Sequence, residues 1–168
     1  GRRTTLVDWH YRWNLVQARL HESAGEWGAA LDLLDKAGRA YVKNSIPILR
    51  PIEALKARIY LKQGRLDKAA SWARACGLSV DDVVGYSGEY EYLTLARLRL
   101  AEGDLTGVDE LLERLLASAE TQKRMGSVIE ILLTQALVDV ARNDEASSPA
   151  ALERALALAE PEGYRRIF

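Results

Sequence analysis

Gly25, Gly64 and Gly103 recur at one fixed interval, and Asn143 takes the next place, a single position later than that interval sets. An alanine precedes each of them by seven residues: Ala18, Ala57, Ala96 and Ala136. After each glycine the chain restarts with charged and then apolar residues, as GEWGAAL, GRLDKAA and GDLTGVD. A self-similar period of this size marks a helical solenoid, in which one unit cannot bury its apolar face alone and stacks on its neighbours. The small alanine lets two helices approach closely. The glycine tolerates the positive φ of a tight reversal. Such arrays build extended curved surfaces for binding rather than closed catalytic pockets.

Apolar residues recur at helical spacing almost throughout. The first helix is expected over residues 5–24, with Trp9 and Trp13 one turn apart, and the second over 27–42, with Ala30, Leu33, Leu34 and Ala37 on one face. Pro47 and Pro51 make the connection between Asn44 and Pro51 turn-rich, since proline disfavours helix in the residue before it. A third helix runs from there to Gln63 and a fourth over 66–75. GLSVDDVVGYSG is the longest irregular stretch, and Ser79 suits the cap of a single turn within it. Helices are further expected over 89–102, over 105–124 with a break at Met125-Gly126, and over 127–142. A last one starts at Ser148-Pro149, where serine suits the cap and proline the first turn. No strand pattern competes with these helices. The fold class is therefore all-α: a right-handed superhelical solenoid of roughly four helical hairpins, with units at about 5–43, 46–77, 88–124 and 127–160.

Composition removes several functions. With 168 residues and 48% of them apolar, the chain can form a continuous core. A net charge of −1 gives no basic excess for nucleic acid. Cys76 is the single cysteine, which excludes an internal disulfide and a multi-cysteine metal site. It also has no histidine at a spacing that suggests nucleophilic catalysis. His10 and His21 lie about three turns apart on one expected helix, too far for one ion, so no metal is expected. No apolar run approaches the roughly 18 residues of a membrane span. The start GRRTTLVDWHYRW lacks the apolar core of a signal peptide, and Met125 is the only methionine. The chain therefore reads as a piece cut from a longer one. Its last helix and the tail EGYRRIF carry no polar capping surface, as a solenoid end would.

The small residue, the glycine seven positions on and the alanine five after that glycine resemble the tetratricopeptide pattern. Ala30 and Ala69 keep that last alanine, whereas Val108 and Ser148 depart from it. A sharper resemblance covers residues 55–168. ARIYLKQGRLDKAASWARACGLSVDD, EYEYLTLARLRLAEGD, LLERLLASAE and LERALALAEPEGYRRIF look like the central repeat domain of MalT-like regulators of the LuxR family, and LALAEPEGYRR is the most specific element. The resemblance implies a non-enzymatic, cytoplasmic sensor arm in a bacterial transcription activator. There the arm receives a small-molecule or protein inducer and relieves autoinhibition of an ATP-binding module. That module, with its P-loop and its ATP, and the C-terminal helix-turn-helix domain would lie outside this chain. No G-x-x-x-x-G-K-[ST] and no basic recognition helix occur in it. Neither a cofactor nor direct nucleic-acid contact is expected of this segment. A stand-alone interaction scaffold and a self-association module remain the other readings.

The same resemblance places candidate binding residues. The residue after each period alanine is Arg19, Arg58, Arg97 and then Leu137. In a tetratricopeptide superhelix this position lines the concave groove. Three guanidinium groups there can grip a carboxylate or phosphate, or each can pair with an acid such as Glu22, Glu53, Glu91 or Glu130. The register also turns Arg12, Leu15, Glu22, Tyr90, Leu93, Leu100, Glu130 and Leu133 inward. Tyr90 suits either the groove or packing against the loop at Gly85–Gly88. Of the groove residues, Arg19, Arg58, Arg97, Tyr90, Arg12 and Glu130 form the candidate ligand or partner site. Trp27 and Trp72 are expected in the core, and Trp9 and Trp13 in helix packing or in a patch meeting a preceding domain. Asp81 and Asp82 read as a solvated acidic loop.

Overall fold

The computed structural model describes residues 2–41, 49–143 and 147–160. Among them every regular element is helical. The order is α1 (Arg2–Ser23), α2 (Trp27–Ala40), α3 (Ile52–Lys62), α4 (Leu66–Cys76), a single 3-10 turn (Tyr86–Gly88), α5 (Glu89–Glu102), α6 (Val108–Thr121), α7 (Met125–Ala141) and α8 (Ser147–Ala159). The expected all-α helical repeat is what the chain forms. The connection around Pro47, the start of the last unit at 144–146 and the tail EGYRRIF lie outside the described residues.

The chain divides into two units, residues 1–75 and 76–168. In the first, α1 packs on α2 and α2 on α3. Ala18 of α1, Ala30 and Leu34 of α2 and Ile59 of α3 form its buried centre, with Leu15, Trp27, Ile52 and Leu55 against it. Alanine at 18 and 30 lets the backbones approach, while leucine and isoleucine fill the remaining space. Each such large side chain contributes about 1.5–3 kcal/mol on burial. α4 buries Ala69, Trp72 and Ala73. Trp72 is thus a core residue and Trp27 a core-packed one, as the spacing suggests. Trp9 and Trp13 instead stack on each other at 5.9 Å and stand exposed.

In the second unit α5, α6 and α7 pack pairwise, and α8 packs on α7. α6 buries one stripe, Val108, Leu111, Leu112, Leu115 and Ala119. α7 buries Val128, Ile129, Ile131 and Leu132 in near succession, more than one stripe, as befits the central helix.

The period residues close the hairpins. Gly25, Gly64 and Gly103 have φ of 76°, 69° and 76°, and Asn143 follows at 59°. The three glycines end their helices in one hydrogen-bond pattern. The N–H of the next residue returns to a carbonyl five back: Glu26 to His21 and Arg65 to Tyr60 at 2.9 Å, Asp104 to Arg99 at 3.0 Å. The side chains of those same pairs also meet. His21 contacts Glu26, the Arg65 guanidinium lies 5.1 Å from the Tyr60 ring, and Arg99 lies 3.1 Å from Asp104. The period thus extends to a polar clasp across each turn.

Some boundaries differ from expectation: α6 opens at Val108 rather than at Leu105, and α8 already includes Ser147, so Ser148 is not its cap. Met125 and Gly126 do not break a helix but open α7. The reversal sits earlier, at Lys123, with φ 55°. Its Arg124 N–H returns to the Ala119 carbonyl at 2.9 Å, the same geometry without a glycine.

Candidate functional site

α5 and α7 carry the most developed polar arrangement at the candidate groove positions. Arg97 is half-buried on α5, and its Nη2 lies 3.2 Å from Glu130 Oε1 on α7. Its Nε donates to Thr134 Oγ1 at 3.4 Å. Thr134 and Thr94 are fully buried. Each hydroxyl donates to the carbonyl one turn back, Thr134 to Glu130 at 2.9 Å and Thr94 to Tyr90 at 2.7 Å. The two threonines satisfy themselves within their own helices, so they can stand in an apolar interface without stranding a donor. Nearby in sequence, Glu91 is held above the usual carboxylate range by burial.

Of the proposed arginine–acid pairs, Arg97 with Glu130 forms as an ion pair. Two of the other acids are taken by lysines. Glu22 of α1 receives Lys62 of α3 at 2.7 Å. Glu53 lies 3.2 Å from Lys56, which also reaches Asp35 of α2 at 3.0 Å. Burial lowers the Lys56 pKa, but its hydrogen bonds and charge contacts with Asp35 and Glu53 more than offset this and leave it raised. Lys62 further sits 5.8 Å from the Trp27 ring. Arg58 is half-buried on α3, while Arg19 and Arg12 are exposed on α1. Tyr90 is half-buried on α5.

The loop-facing tyrosine is Tyr92. A Cβ added at Gly88 would lie 3.2 Å from its ring, and its hydroxyl donates to Asp82 Oδ2 at 2.8 Å. Burial, then the bond to Asp82, pushes the Tyr92 phenol up to about 12. Asp82 also accepts the Ser79 N–H at 2.8 Å, and these two bonds lower its pKa. The acidic loop is therefore a built turn, in which Asp82 is fixed by two hydrogen bonds while Asp81 stands exposed to solvent. Ser79 takes the capping part expected of it by accepting the Asp81 N–H at 3.3 Å.

The same loop is bolted to α6 and α7. The Arg114 side chain donates to the Val80 carbonyl. Gly107 comes so close that an added Cβ would lie 2.9 Å from Val80 Cγ2. Arg124 pairs with Glu89, lies 5.0 Å from the Tyr86 ring and donates to Ser118 at 3.1 Å. Asp82–Tyr92, Glu89–Arg124 and Glu22–Lys62 were not singled out from sequence as pairs. The first was hidden in an acidic stretch, and in the other two the partners lie far apart along the chain, Glu22 and Lys62 on α1 and α3, Glu89 on α5 and Arg124 in the turn before α7.

Chemically, these arrangements hold and orient. Among the described residues no group of three or more His, Cys, Asp or Glu could hold a metal ion. None of the described helices is long and apolar enough to cross a membrane. No curated protein and no solved structure matches the chain. A family model does, over residues 1–168, and it is that of the MalT-like TPR region. With the glycine-closed helical hairpins of the structure, that match over the whole length means that the chain belongs to the MalT-like TPR region family.

Proposed function

We propose that this chain is the sensor arm of a LuxR-family transcription regulator, a cytoplasmic bacterial protein, and that it acts by binding rather than by catalysis. In this reading the hairpins wind into a right-handed superhelix. Its concave face, with Arg12, Arg19, Arg58, Tyr90, Arg97 and Glu130, receives a small-molecule or protein inducer. ATP and DNA belong to domains outside the segment, which uses no cofactor or nucleic acid itself. Binding shifts the regulator from a resting to an active state by favouring one of two existing conformations.

The observation that carries the reading is the Arg97–Glu130 pair on α5 and α7, in a member of the MalT-like TPR region family. A half-buried guanidinium already oriented by a carboxylate and Thr134 can exchange that partner for an anionic ligand at little ordering cost. A thermal-shift screen against sugars, nucleotides and organic acids tests it. A ligand that binds the folded state raises Tm in a dose-dependent way, and Arg97→Ala abolishes that rise for an anionic hit. A hit that Arg97→Ala, Arg58→Ala and Arg19→Ala all leave unchanged removes the arginines from the site.

A further inference from the structure

The turn between α3 and α4 reverses a charge that the period keeps elsewhere. The residue after the turn residue is acidic in the other hairpins, as Glu26, Asp104 and Asp144, and is Arg65 here. At the first and third turns the clasp therefore includes a carboxylate of the chain itself. Glu26 contacts His21, and Asp104 lies 3.1 Å from Arg99. At the second turn the Arg65 guanidinium lies 5.1 Å from the Tyr60 ring, and the Lys68 ammonium lies 5.4 Å from the same ring. Two cations gathered on one ring repel each other, and the aromatic face offsets this only in part. Neither cation has an ion-pair partner among the described residues, and Asp67 between them is exposed and pairs with neither.

A third donor stands on α4. Trp72 is 8% exposed, and its indole N–H is buried without a hydrogen-bond partner among the described residues. A buried donor left without an acceptor is costly. The same register position holds Leu33 in the first hairpin and Leu111 in the third, neither of which has a polar side-chain atom. Lys68 likewise stands where those hairpins have Ala29 and Gly107. Arg65, Lys68 and Trp72 are separated by three and then four residues, the spacing of one helix face. This hairpin thus departs from its neighbours at three positions of one face, each time towards a donor and never towards an acceptor. Arg65 does donate to the neutral Gln63 Oε1 at 3.4 Å, a long bond that leaves its charge unmatched.

From this we infer that Arg65, Lys68 and Trp72 form an anion site, which takes the phosphate group of a small molecule. The planar fork of Arg65 matches phosphate oxygens in a bidentate way, and Lys68 adds a point charge. Trp72 contributes a neutral donor that has no other use in the fold. A phosphate keeps three acceptor oxygens even as an ester, enough for three donors, whereas a carboxylate has two. The site uses no residue of the proposed concave face, so it stands or falls apart from the sensor reading.

Titration with inorganic phosphate and then with glycerol 3-phosphate, each exchanged for chloride at constant ionic strength and followed by heteronuclear NMR, tests it. The Trp72 indole N–H signal, assigned with Trp72→Phe, should shift and saturate with both probes. The indole signals of Trp9, Trp13 and Trp27 should stay in place. Arg65→Gln and Lys68→Gln should each weaken binding about tenfold. Lys36→Gln, an exposed position on α2, should leave it unchanged. Far-UV circular dichroism and Tm confirm the fold of every variant. A Trp72 signal that does not move, or that drifts without saturating, overturns the proposal. So does binding that survives unchanged in Arg65→Gln and Lys68→Gln, or that Lys36→Gln weakens equally, and so does a failure of glycerol 3-phosphate to bind.

Discussion

The turn after α5 and the turn after α6 share one backbone geometry and reach it differently. At Gly103 the left-handed conformation costs little, and the helix end is finished by the nearby pair Arg99–Asp104. At Lys123 a residue with a Cβ is held at φ 55°, a conformation disfavoured by about 1–2 kcal/mol. There the following residue, Arg124, is fixed by Glu89, Tyr86 and Ser118. Where the period supplies glycine, the turn is stable on local terms. At Lys123, which is off the period, contacts from the 3-10 turn, the start of α5 and α6 hold it. The glycine turns therefore belong to single hairpins, and the Lys123 turn ties the loop, α6 and α7 together.

The difference can be broken most severely at Arg124. Arg124→Ala leaves Glu89 without its partner in a largely buried position, so unfolding in urea should show a loss of about 3 kcal/mol. A loss as small as that of an exposed ion pair would mean that the turn does not depend on this anchor. Gly107→Ala comes next. It combines a positive φ of 69° with a Cβ 2.9 Å from Val80, and should cost about 2 kcal/mol. Gly103→Ala meets only the conformational penalty, because nothing lies within 4 Å of its added Cβ. Urea unfolding should give a loss of about 1 kcal/mol there, offset in part by the lower entropy of the unfolded chain. The smallest effect has the opposite sign. Lys123→Gly should stabilise by roughly 0.5 kcal/mol, the relief of strain outweighing the flexibility that glycine adds to the unfolded chain. If Gly103→Ala and Lys123→Gly shift stability in the same direction, the contrast between the two turns is false.

Much of this organisation is legible in the sequence, because a period reports directly on backbone geometry. Asn143 replaces glycine in the fourth turn and still takes a positive φ, as asparagine does more readily than other side chains. Lys123 was illegible for the converse reason: lysine carries no local preference for the left-handed region, and Met125-Gly126 beside it looked like the breaker. Arg97–Glu130 was readable as one of two options because the period put both on first helices. Glu22–Lys62 was not, although it too joins first helices of successive hairpins, because the long stem of a lysine can reach several acids. The loop at 77–88 gave no regular pattern, and its order comes from Asp82, Tyr92, Arg114 and Arg124, contacts that exist only once α5, α6 and α7 have packed.

The central claim is that the period assigns each face of each helix, so that two residues of one register differ only in whether a neighbour covers them. Ile59 and Leu20 each stand five residues before a turn glycine, and they are 1% and 53% exposed. Truncating Ile59 and Leu20 to alanine, in separate variants denatured by urea, tests this most directly. Ile59→Ala should lose about 2–5 kcal/mol, as buried large-to-small changes do. Leu20→Ala should stay within about 0.5 kcal/mol of the parent. Equal losses at the two positions would contradict the account, for they would mean that the α1 face is already covered within the single chain.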